Sequence, residues 1–104
     1  MMLHVIKYDI HPDKTEAYAA WAKAALPELL AVLGYVELRG YRPVTGSSQV
    51  AVTIEFADLA DWTGWIANEE VQRILHDQRA LVLNLTTELW GASPNVPEPI
   101  RPER

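Results

Sequence analysis

The sequence predicts an α+β fold in the order β-α-β-β-α-β, the ferredoxin-like split arrangement of a four-stranded antiparallel sheet with helices on one face. Three observations carry the prediction. Four short runs alternate apolar and polar residues with a period of two. Two longer stretches repeat apolar residues at helical spacing. Turn and cap residues punctuate each junction. The 104 residues suit a single domain, which at this size buries only ~65% of its unfolded surface.

Met2 to Tyr8 mixes β-branched and aromatic residues with polar ones and reads as the first strand. His11-Pro12-Asp13 ends it, because proline presets a turn. Asp13 reads as a helix N-cap with Glu16 three residues on. Tyr18, Trp21, Ala22, Ala25 and Leu29 then form one apolar stripe. Pro27 should kink this helix or restart it, since its ring blocks an intrahelical bond, and Gly34 is a plausible stop.

Tyr35 to Val44 alternates again, with Tyr35, Glu37, Arg39 and Tyr41 on one face. After the Thr45-Gly46-Ser47-Ser48 turn, Val50, Val52, Ile54 and Phe56 line one face of the next strand, making a hairpin. Asp58 caps a short helix carrying Trp62, Trp65 and Ile66, kept brief by Gly64. Asn68 caps another, with Val71, Ile74, Leu75 and Gln78 on one side. In the last strand Leu83, Leu85, Thr87 and Leu89 share one face, opposite Asn84, Thr86, Glu88 and Trp90, and the apolar face of Val50, Val52, Ile54, Phe56, Leu83, Leu85 and Leu89 is expected under the helices. The folded domain is expected over 1–91. Residues 92–104, with Pro94, Pro97, Pro99 and Pro102, read as an extended tail.

Composition excludes several functions. A net charge of −5 argues against nucleic acid. No cysteine is present, so thiolate chemistry and Cys-ligated metals are out. The apolar runs are too short for a membrane span, and the first residues carry no secretory pattern, so the expected compartment is the cytoplasm.

Two helical segments cover one face of a four-stranded sheet. The other face is expected to mix Tyr35, Arg39, Tyr41 and Trp90 with Thr53, Thr86, Glu37, Glu55 and Glu88, and tyrosine, tryptophan and arginine are the types that interfaces favour. A homodimer packed sheet to sheet is the expected partner arrangement.

The element order, the Glu55-Phe56-Ala57-Asp58 strand exit, the Trp62-x-x-Trp65 pair, Asn68-Glu69-Glu70-Val71 and the closing Glu88-Leu89-Trp90 resemble the dimeric α+β barrel superfamily, and within it the antibiotic-biosynthesis-monooxygenase-like proteins. The resemblance covers residues 2–91. It implies a homodimer. It also implies a small apolar or aromatic ligand and, in some members, oxidation of aromatic polyketide-type substrates without metal or flavin. Others degrade haem with a tryptophan and a histidine on these helices and an asparagine on the first strand. Here the Trp65-to-His76 spacing is off by one residue, which turns a helical side chain by ~100°. The first strand carries His4, Lys7 and Tyr8 and no asparagine, so haem binding and degradation stand as a third reading, weaker than the other two.

A cofactor-free oxygenase removes a proton, holds the resulting anion with hydrogen-bond donors and excludes water. The candidate catalytic residues are His76, Trp65 and Tyr8. His4, Trp21, Trp62 and Asn68 are candidates for substrate binding. Each also has a plainer reading. His76 reads as an exposed helical histidine, His4 as a hydrogen-bonded core histidine, the tryptophans as core, and Asn68 as a cap. The three histidines are scattered, without carboxylates at ligand spacing, so no metal is expected. The same residues also fit a dimeric binding module without catalysis.

Overall fold

The computed structural model describes residues 1–103; Arg104, counted in the tail, lies outside the described residues. Strand β1 (Met2–Ile10) is followed by a 3-10 turn, Pro12–Lys14, and helix α1 (Thr15–Ala31). Strands β2 (Glu37–Tyr41) and β3 (Val50–Phe56) form the hairpin. Helices α2 (Leu59–Ile66) and α3 (Glu69–Arg79) precede β4 (Val82–Gly91). The antiparallel sheet runs β2-β3-β1-β4, with both long-range strands in its centre.

The period of two decides which side chains meet the helices. His4, Ile6 and Tyr8 pair across the ladder with Ile54, Val52 and Val50, and all six face the helical layer. Ile54, Phe56, Trp65 and Val71 form the centre of the core, each at most 2% exposed. Full burial of side chains this large stabilises by ~1.5–3 kcal/mol each. The caps on α2 and α3 form as expected. Asp58 accepts from the Asp61 amide and Asn68 accepts from the Glu70 and Val71 amides.

Four local expectations need correction. Leu83 does not lie under the helices. β4 carries one extra residue opposite Tyr8, where the register slips between Lys7 and Asp9, and Asn84 takes the left-handed backbone at φ 56. A bulge of this kind reverses the alternation beyond it. Val82 therefore turns inward and Leu83 turns out, 42% exposed. Asp9 fastens the bulge by accepting from Asn84 Nδ2 at 2.9 Å and from the Gln49 amide at 2.9 Å.

Tyr35 lies before β2, which begins at Glu37. Its ring packs toward the core and its hydroxyl donates to the Leu30 carbonyl at 3.0 Å. Asp13 does not cap α1; His11 Nδ1 accepts from the Asp13 amide in the preceding turn. Helix α1 continues through Pro27 without restarting and ends at Ala31, with Gly34 at φ 114 in the turn beyond. Residues 92–103 contain neither helix nor strand and are exposed. No helix among the described residues is long and apolar enough to cross a membrane.

Candidate functional site

The helical layer leaves two spaces above the sheet. The first, about 280 Å³, lies beneath α1 over the β2-β3-β1 side. Ile6, Leu29, Leu38, Val52 and Ile54 make most of its wall, and no charged side chain lines it. Gly40 stands at its β2 rim, where an added Cβ would meet nothing within 4 Å. Space is left here because α1 turns small residues, Ala22 and Ala25, toward the sheet.

The polar atoms of this cavity are few. Tyr8 on β1 and Tyr18 on α1 join hydroxyl to hydroxyl at 2.6 Å. The reversal at Pro12 brings these two residues together, ten apart in the chain. Trp21 stacks obliquely on Tyr18, centroids 5.7 Å apart, and its indole N–H is buried without a partner. Burial, and then the Tyr18 hydroxyl, push Tyr8 well above the usual phenol range, while Gln78 pulls the other way. Tyr8 is therefore a neutral donor at physiological pH. A pair of hydroxyls uses one hydrogen between them and keeps one to offer elsewhere.

The second space, about 240 Å³, lies beneath α2 and α3 over β1 and β4. His4, Trp62, Gln72, Gln78, Arg79 and Thr87 supply its polar lining. Trp62 Nε1 donates to His4 Nδ1 at 3.2 Å. The His4 ring meets Trp65 edge-on with centroids 5.8 Å apart. His4 is 6% exposed, and burial lowers its pKa below the usual imidazole value. Leu75 and Gln78 wall both spaces.

The predicted site residues thus separate into groups. Tyr8 and Trp21 line the α1 cavity, whereas His4 and Trp62 line the α2–α3 chamber. Trp65 is core, 2% exposed against Phe56 and His4, and lines neither space. Asn68 caps α3 at the surface. His76 sits on the exposed side of α3, following Ile74 and Leu75, and contributes to neither lining. Tyr18, Gln78 and Arg79 were not singled out from the sequence as site residues. The available signals were a polar residue, Gln78, within the buried stripe of α3 and a tyrosine in the stripe of α1.

A family model described as antibiotic biosynthesis monooxygenase matches residues 1–77. The chain belongs to this family. A solved antibiotic biosynthesis monooxygenase superposes on this family member with a TM-score of 0.72 at 15% identity, covering 90% of this chain and 100% of that one. A DABB-family protein of Mesorhizobium loti with a ferredoxin-like fold gives 0.75 at 16% identity, covering 86% and 93%. Protein SO0527 of Shewanella oneidensis gives 0.67 at 20% identity, covering 86% and 87%. At these identities the superpositions speak to the fold alone. No curated protein matches the chain.

Proposed function

We propose that this protein binds a small, flat, mostly apolar or aromatic molecule beneath α1, with one oxygen atom of the ligand at the Tyr8–Tyr18 pair. The supporting observation is the contrast within that cavity: apolar walls, a neutral hydroxyl pair and the unpaired indole N–H of Trp21. An acceptor oxygen would relieve the cost of leaving that buried donor unpaired. The volume, about 280 Å³, falls just below the ~300–1,000 Å³ range typical of ligand sites, which favours one or two fused rings.

The oxygenase reading extends this one step. A ligand with an acidic methylene beside its ring ketone would ionise, with the hydroxyl pair and indole N–H holding the oxyanion. The carbanion would reduce dioxygen directly, converting CH₂ and O₂ into C=O and water, with no metal or flavin. One observation favours binding without catalysis as the second reading: no His, Lys, Asp or Glu lines this cavity to take the proton. Oxygen uptake with a hydroxylated tetralone distinguishes the two. Uptake that is catalytic in protein and lost in Gly40→Leu supports the oxygenase; thermal stabilisation without uptake supports the binding module.

The active form in this reading is a homodimer through the open sheet face. Tyr41, Leu83 and Trp90 are 48%, 42% and 45% exposed there, and Lys7 Nζ lies 5.8 Å from the Trp90 ring centroid. Light scattering is expected to return twice 11.7 kDa for the native chain and the single mass for Trp90→Glu. A native single mass at working concentration would remove the dimer.

A further inference from the structure

We propose that the chamber beneath α2 and α3 is a second binding site, for a small organic carboxylate with an apolar body. It does not rest on the function proposed for the α1 cavity.

Its basis is the unmet donor capacity of the lining. An indole N–H can only donate, so the bond from Trp62 fixes His4 Nδ1 as the acceptor nitrogen. The neutral imidazole then carries its hydrogen on Nε2, and that buried nitrogen has no partner. Unpaired buried donors are uncommon and point to a missing acceptor. Arg79 lines the same chamber, and its guanidinium is in no ion pair among the described residues. Arg73, six residues earlier on α3, is by contrast held by Glu28, Glu70 and Asp77.

Charge points the same way. The chain is acidic overall, at −5, yet no Asp or Glu lines this chamber. A planar guanidinium fork suits a carboxylate, which it can hold through two parallel hydrogen bonds. Ile66, Leu75, Leu85 and the Trp62 ring supply the apolar wall for the rest of the ligand. The 240 Å³ volume limits that body to about one ring.

Benzoate and its neutral counterpart benzamide are the probes, titrated by calorimetry into the full chain. Benzoate is expected to bind at least tenfold tighter than benzamide. Arg79→Met is expected to erase that preference and Arg79→Lys to restore part of it. Arg79 is exposed, so neither variant threatens the fold. Gly40→Leu, which fills the rim of the α1 cavity, is expected to leave benzoate binding intact. Equal binding of the two probes, or a preference surviving in Arg79→Met, would overturn the proposal. So would loss of benzoate binding in Gly40→Leu, which would put the probe beneath α1.

Discussion

The two spaces above the sheet differ in what successive inward residues of one strand bring to them. His4, Ile6 and Tyr8 all point to the helices, yet His4 and Tyr8 are ~14 Å apart along β1. His4 comes under α2 and the tryptophans, and Tyr8 comes under α1 beside Tyr18. The α1 cavity is apolar with neutral hydroxyls; the α2–α3 chamber holds an imidazole and a guanidinium. A single alternating strand can therefore serve two chemistries, because each helix covers only part of its length. Leu75 and Gln78 on α3 form the partition between them.

Both spaces depend on one packed ring. Trp65→Ala is expected to destabilise the protein by ~3–5 kcal/mol, because the ring is fully packed between Phe56 and His4. Urea unfolding would measure the loss, and titrations of benzoate for the α2–α3 chamber and 2-naphthol for the α1 cavity would show both sites weakened together.

Smaller changes sharpen the contrast. Tyr8→Phe leaves the Tyr18 hydroxyl without its partner and is expected to cost ~1 kcal/mol of stability, measured by urea unfolding. The same variant should leave benzoate binding in the other chamber unchanged. Asn68→Ala is expected to cost about 1 kcal/mol, because two amides at the start of α3 lose their acceptor. Thermal melting would register it without altering either cavity.

The subtlest expectation is a pH dependence carried by His4. Burial lowers its folded-state pKa below the unfolded value near 6.5. Below 6.5 the unfolded chain takes up a proton that the folded imidazole refuses, so stability falls as pH drops through that range. Unfolding at pH 7.5 and 5.5 should show this loss in the native chain and a smaller one in His4→Gln.

Much of the fold was legible because alternation and caps are local signals. Val50 to Phe56, Asp58 and Asn68 read directly. Leu83 did not, because one residue inserted opposite Tyr8 reverses everything beyond it, and only the paired register reveals an insertion. Tyr35 looked like a strand residue until its hydroxyl found the Leu30 carbonyl, a bond that depends on how α1 ends. Pro27 is exposed within an unbroken helix, whose neighbouring Ala25 and Leu29 face the sheet, so its local cost does not end the helix. The candidate site was half legible. Tyr8, Trp21, His4 and Trp62 were named from the sequence, but their division between two spaces depends on where the helices lie across the sheet. His76 was named for its chemistry as a histidine on α3 and lies on the exposed side of that helix.

The most direct test of the account is a pair of titrations into the full chain, 2-naphthol against naphthalene. The two have the same rings and differ by the oxygen meant for the tyrosine pair. 2-Naphthol is expected to bind at least tenfold tighter, and Tyr8→Phe combined with Tyr18→Phe is expected to remove the difference. Equal affinity for both, or no saturable binding of either, would contradict it.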